Sequence, residues 1–427
     1  MNASERLMKK GLASSGVGLL MAAMLGAACT ASGPLVATSS PTPTSSGHSP
    51  SPSAQPSPTS SPSAPPVQPG PGAWQLSKTM SVPRADFAAV SLPSGRVLLI
   101  GGETSPTTDT ATVDIFDPTT NTISAAAPMG SPRNGHSATL LPNGKVLVAG
   151  GDSGPSGLAL GSAELYNPAT NTWAPAAAMN QPRAHHAAAL IGNGKVFVAG
   201  GDGGTQSPPP NGSEIYDSGT NTWTSPQPEY GYRPYGPIVI ALNDGRVMTW
   251  GGVQQVQPGN GYEFYDPATG QASYGTLSAI VTTNFSTAAS LPDGTVLLAG
   301  GQQSYQPTGA LNTTAIFTPS KEVAGCTGSC DGWTVGPAMN VGHCEHTMTT
   351  LRSGLILVAG GRCGTSESIA VVELYEPVGK KWWPAATMQD ARGFHTAALL
   401  SDGRVLVAGG LLIGGATTAT TEIYTPA

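Results

Sequence analysis

Seven times along the chain, a run of apolar residues ends in a pair of glycines. "VLLIGG" recurs as "VLVAGG", "VFVAGG", "VMTWGG", "VLLAGG", "LILVAGG" and "VLVAGG". The first glycines are Gly101, Gly150, Gly200, Gly251, Gly300, Gly360 and Gly409, evenly spaced apart from one longer interval between Gly300 and Gly360. Shortly before each pair, always at the same offset, stands another glycine (Gly95, Gly144, Gly194, Gly245, Gly294, Gly354, Gly403), preceded by Ser, Asn or Asp. Asn-Gly and Asp-Gly between apolar runs predict a two-residue type I′ hairpin, which needs φ > 0 at both positions. A third strand of the "ELYNP" kind follows each pair, and "TNTW" or "GKKW" supplies a fourth. Each unit reads as a four-stranded antiparallel sheet. Alternating positions such as Val146, Val148, Leu165 and Trp173 are expected to bury against neighbouring units.

The last unit stops at "EIYTPA", one strand short. Trp74 in "GAWQL" stands as far before Gly101 as Trp173 stands before Gly200 and Trp382 before Gly409. The N-terminal strand around Trp74 is therefore expected to complete the last unit. A ring closed this way has no unpaired sheet edge. The ordered glycine pair, tyrosine and tryptophan resemble the kelch family over residues 73–427. The "DGRVLVAGG" style is similar to the propeller of galactose-oxidase-type copper radical oxidases. The resemblance implies an all-β fold, a seven-bladed kelch-type β-propeller.

The hairpin register places the remaining chemistry. Counted outward from Arg352 opposite Leu355, Cys344 opposes Cys363, within reach of a disulfide. The inserted "CTGSC" offers Cys326–Cys330 as a second pair, with a four-thiolate zinc site as the alternative. His136, His186, His346 and His395 share one offset before their glycine pairs, where the kelch repeat places a histidine. The count sets each opposite the second glycine, in a structural role. Arg84, Arg133, Arg183 and Arg392 recur at one offset after a methionine (Met80, Met129, Met179, Met388) and read as scaffold, hydrogen-bonding between blades. His343 takes their slot in blade six.

What fails to repeat points to function. The position immediately before the histidine slot reads Asp86, Gly135, His185, Gly236, Phe285, Glu345 and Phe394. Its expected cross-strand partners read Glu103, Asp152, Asp202, Val253, Gln302, Arg362 and Leu411. These positions should ring one mouth of the channel, where loops on a rigid scaffold carry function. Glu345 is expected to pair with Arg362, and His185 with Asp202. Asp86 opposite Glu103 is a like-charged pair, costly unless a cation relieves it. With Asp152 it forms an acidic arc suited to Ca²⁺ or a cationic ligand group, or else a solvated acidic rim. Blade four adds "PEYGYRPYGP", whose Tyr235 is a candidate for stacking on a sugar ring.

Composition narrows the partners. Only 10% of the 427 residues are charged and the net charge is −6. That argues against a nucleic-acid partner, which needs Lys/Arg patches. The segment 1–28 has a basic start (Arg6, Lys9, Lys10) and an uncharged apolar run, as in a signal peptide. "LGAAC" resembles a bacterial lipobox and implies a lipid on Cys29, with simple cleavage and secretion as the alternative. Residues 29–72 are Pro/Ser/Thr-rich and read as a disordered tether, at most about 3.1 Å per residue. The chain is expected in a bacterial cell envelope, meeting the membrane only through that lipid, with the propeller at residues 73–427 as a monomer.

The expected function is a binding or scaffold propeller presenting its mouth to a glycan or protein ligand, without a cofactor. The alternative is a cofactor-free carbohydrate-active enzyme, since a kelch propeller also serves as a sialic acid mutarotase. A copper radical oxidase does not suit these residues. In that family a tyrosine–histidine pair falls on the two inner slots, and here the first slot holds no tyrosine.

Overall fold

The computed structural model describes residues 68–155, 157–204, 210, 212–226, 236–251, 261–276, 285–302, 309–319, 331–362 and 367–427. Cys29, Tyr235, Cys326, Cys330 and Cys363 lie outside them, with the leader and nearly all of the expected tether. Among the described residues no helix is long and apolar enough to cross a membrane.

Seven four-stranded antiparallel sheets make up the propeller. Blade one pairs Ala88–Ser91, Val97–Ile100, Val113–Asp117 and Thr122–Ala126 in chain order. Blades two to six repeat that order, and their innermost strands adjoin one another. Blade seven takes Thr396–Leu399, Val405–Ala408 and Thr421–Thr425 from the C-terminal end and Ala73–Leu76 as its outer strand. In that strand Trp74 pairs with Tyr424. Their rings sit 5.1 Å apart, against 5.0 Å for Trp173–Tyr166 and for Trp382–Tyr375. Trp74 Nε1 donates to Ala386 O at 2.8 Å, as Trp173 does to Ala127 O and Trp382 to Pro337 O. The N-terminal strand thus makes the contacts its equivalents make in blades two and six.

The core lies between blades, because successive strand residues face opposite neighbours. Val146 and Val148 pack with Leu98 and Ile100 of blade one, whereas Leu147 and Leu165 pack with Val196 and Val198 of blade three. Full burial of such an aliphatic side chain contributes roughly 1.5–3 kcal/mol.

The hairpins differ from the expected type I′ turn, and the register moves with them. Leu92 N–H donates to Arg96 O and Gly95 N–H to Leu92 O, which leaves a three-residue loop. Gly95 has φ +82°, while Ser94 and its equivalents Asn143 and Asp402 are not left-handed. This is a type I turn followed by a left-handed glycine bulge. The extra loop residue shifts every pairing by one. Thr350 faces Ile356, and the main chain of Cys344 accepts from Arg362 N–H. Cys344 is disulfide-bonded.

The repeated arginines and histidines exchange their expected roles. Arginine side chains work within a blade. Arg84 donates to Gly101 O at 3.1 Å and pairs with Asp114 at 2.8 Å, both partners fully shielded from water. Arg133–Glu164, Arg183–Glu214 and Arg392–Glu422 repeat this, and His343 binds Gly360 O and Glu373 in the same slot. Histidines work between blades. His186 Nε2 meets Ser137 Oγ of the preceding blade at 2.9 Å, His346 meets Thr287 at 2.7 Å and His395 meets Thr347 at 3.0 Å. Each imidazole reaches over the first glycine of the preceding blade, while its β-carbon stays against the second glycine of its own. A β-carbon on Gly101 would stand 2.8 Å from His136 Cε1.

Candidate functional site: the channel mouth

The seven non-repeating positions form a ring with one backbone conformation. Asp86, Gly135, His185, Gly236, Phe285, Glu345 and Phe394 all have φ between 49° and 58°. Such angles are uncommon for side chains as bulky as His and Phe. Inter-blade hydrogen bonds hold them there. Gly135 N–H donates to Asp86 O, His185 to Gly135 O, Glu345 to Phe285 O, Phe394 to Glu345 O and Asp86 to Phe394 O, at 2.8–3.2 Å. Main-chain bonds therefore run from Phe285 through Glu345, Phe394, Asp86 and Gly135 to His185, and side-chain identity is left free for chemistry.

The ring side chains lean toward the preceding blade. His185 crosses Gly135, where a β-carbon would stand 2.7 Å from Nε2, and Phe285 covers Gly236 with Cδ1 at 3.2 Å from a β-carbon. His185 thereby bridges two carboxylates: Nε2 lies 3.0 Å from Asp86 Oδ2 and Nδ1 lies 3.0 Å from Asp202 Oδ2. Burial alone would lower this imidazole's pKa. Asp86 and Asp202 override it and hold the pKa well above the ordinary value. Gly204 N–H fixes Asp202 Oδ1 at 2.8 Å.

Glu345 stands across the mouth. Burial, then the charge of Asp86, pushes its carboxyl well above the usual range, against Arg362 and His185. Its Oε2 is shielded from solvent and has no hydrogen-bond partner. The expected ion pair with Arg362 does not form; Arg362 donates instead to Leu412 O at 3.1 Å. Phe394 packs against Ala85 and Leu411.

The shifted register corrects the acidic arc. Glu103 pairs with Ala85 rather than Asp86, and Asp152 with Asn134. Among the described residues, the metal-binding side-chain atoms that lie within 4.8 Å of one another are those of Asp152, His185 and Asp202. The candidate set of Asp86, Glu103 and Asp152 is not brought together in that way. Gln302, expected only as a cross-strand partner of Phe285, occupies the slot of Asp152 and Asp202 in blade five. It is 4% exposed, and its Oε1 has no partner. Glycine at positions 135 and 236, each before a blade with a bulky ring residue, was the sequence signal for the leaning side chains.

Fold and ring together define a seven-bladed β-propeller. A family model described as the KLHDC2/KLHL20/DRC7 Kelch-repeats domain matches residues 86–270. A solved structure titled a novel fungal alcohol oxidase with catalytic diversity among the AA5 family, in complex with copper, superposes with a TM-score of 0.68. The two chains are 19% identical over 84% of this chain and 77% of the oxidase, a likeness of fold alone. Among curated proteins, no sequence matches this chain.

The described residues of the mouth do not offer the copper donor set of the radical oxidases. Among the described ring residues none is a tyrosine, and His186, His346 and His395 hold inter-blade hydroxyls with Nε2.

Proposed function

We propose that this is an exported, lipid-anchored binding propeller whose channel mouth takes a hydroxyl-rich ligand, a glycan. One observation carries the reading: Glu345 Oε2 and Gln302 Oε1 are shielded polar atoms without partners. Each such group costs about 1–3 kcal/mol, which ligand hydroxyls would recover. The scaffold residues Arg84, Arg133 and Arg392 also leave Nε without a partner, but they do so alike from blade to blade. Glu345 and Gln302 stand at positions whose residue varies from blade to blade. Phe285, half-buried beside them in the ring, offers an apolar face to a sugar ring. The leader and the lipobox-like "LGAAC" support export and anchoring at Cys29.

The test is an array of glycans and peptides probed with the purified protein and its Glu345→Gln, Gln302→Ala, His185→Ala and Phe394→Ala variants. Loss of glycan binding by tenfold or more in the first two supports the reading. Binding unaffected by all four, or binding to peptides alone, overturns it. A second reading, cofactor-free acid–base turnover of a sugar, draws on the raised pKa of Glu345 beside Asp86. Accelerated anomer exchange by NMR, lost in Glu345→Gln, would favour it.

A further inference from the structure

We propose that Asp152, His185 and Asp202 form a binding site for a divalent transition-metal ion, a property separate from glycan recognition. The donors come from two adjacent blades: Asp152 follows the glycine pair of blade two, while His185 and Asp202 open and follow the first hairpin of blade three. Their ligand atoms lie within 4.8 Å of one another. Both aspartates are almost wholly buried, at 1% and 4% exposure.

The orientation of His185 is the second observation. Its Nε2 meets Asp86 of blade one at 3.0 Å, across the bare backbone of Gly135. A histidine whose outer nitrogen is held by a carboxylate is the usual arrangement around a metal-ligating imidazole. With a proton on Nε2, the Nδ1 lone pair points at Asp202 Oδ2, 3.0 Å away. Two lone pairs cannot share that gap unless a positive charge lies there. That charge is either a second ring proton or a metal ion, and nearby Asp152 adds a further anionic donor for the metal.

The donor set selects the metal. One imidazole and two carboxylates suit Mn²⁺, Fe²⁺ or Zn²⁺. Calcium prefers oxygen ligands alone, so the histidine disfavours it. Three protein donors leave coordination positions open toward the mouth.

The experiment is calorimetric titration of the full chain, stripped with chelator, with Mn²⁺, Zn²⁺ and Ca²⁺ in turn. One equivalent of Mn²⁺ or Zn²⁺ is expected, with at least 100-fold weaker binding in Asp202→Asn and His185→Gln. Asp86→Asn, which only orients the ring, should weaken binding by about 10- to 100-fold. Pulsed EPR of bound Mn²⁺ should show coupling to a single imidazole nitrogen, a readout that needs no variant to fold. No stoichiometric uptake, a preference for Ca²⁺, uptake unchanged in both variants, or no nitrogen coupling would each overturn the proposal and leave the gap to a proton.

Discussion

His185 Nε2 lies 3.0 Å from Asp86 Oδ2, across 99 residues of sequence and the intervening blade. Gly135 makes this possible, since a β-carbon there would meet the imidazole at 2.7 Å. Gly135→Ala should therefore displace His185 as well as strain a backbone at φ +58°. Gly144 is the control: its φ is +79°, but a β-carbon there meets nothing within 4 Å. Gly144→Ala should cost about 1–2 kcal/mol from backbone strain alone, and Gly135→Ala clearly more. Urea midpoints of the two variants check this.

Of the four repeated histidines, His136 is the one without an inter-blade hydroxyl. Ser137, Thr287 and Thr347 serve His186, His346 and His395, but the equivalent residue for His136 is Ala88, and the His136 Nε2 lacks a partner. Ala88→Ser should supply the missing group and stabilise the fold by about 0.5–1.5 kcal/mol. A rise in the denaturation midpoint, absent in a combined Ala88→Ser/His136→Phe variant, is the expected result.

Acid should weaken the propeller well before its carboxylates titrate. Burial, then the charges of Arg133 and Arg392, pushes the pKa of His136 and of His395 down to about 3. Burial also holds His186 and His346 well below the ordinary value. In the unfolded chain they titrate near 6.5, so their contribution is present above that pH and lost as pH falls toward 3. Each adds a slope of up to about 1.4 kcal/mol per pH unit. His185 works the other way: its raised pKa stabilises most below 6.5 and fades as pH rises through the raised value. Proton uptake on unfolding at pH 5.5 should fall by nearly one in His395→Asn.

Arg84 and Asp114 form a fully shielded pair at 2.8 Å. Arg84→Met should cost about 3–5 kcal/mol, because it strands a buried carboxylate. Arg84→Met/Asp114→Leu should recover much of that loss. A double-mutant cycle in urea measures the difference.

The architecture was legible because each repeat carries its own turn, strand and tryptophan signals at one spacing. Facing relationships were less so. Asn143-Gly144 announces a left-handed glycine, but not whether the preceding residue is left-handed too. That single backbone choice moved the register by one, and with it the expected partner of Asp86. Recurrence marked Arg133 and His136 as scaffold without saying which neighbour each would touch. His185 with Asp202 could be read because both lie in one hairpin. Asp86 could not, because its place beside His185 depends on two inter-blade steps and a glycine window.

The outer strand Ala73–Leu76 has a mechanical meaning. It is the ring's seam, and it is also where the chain from residues 68–72 enters the domain. Load arriving from the N-terminal side falls first on Pro71, whose carbonyl accepts from Ala386 N–H and the Tyr424 hydroxyl, and then on the Ala73–Thr425 end of that four-residue pairing. The propeller then resembles a clasp that fails at its catch, and its resistance to pulling is set by Trp74 against Tyr424 rather than by the stability of the whole ring.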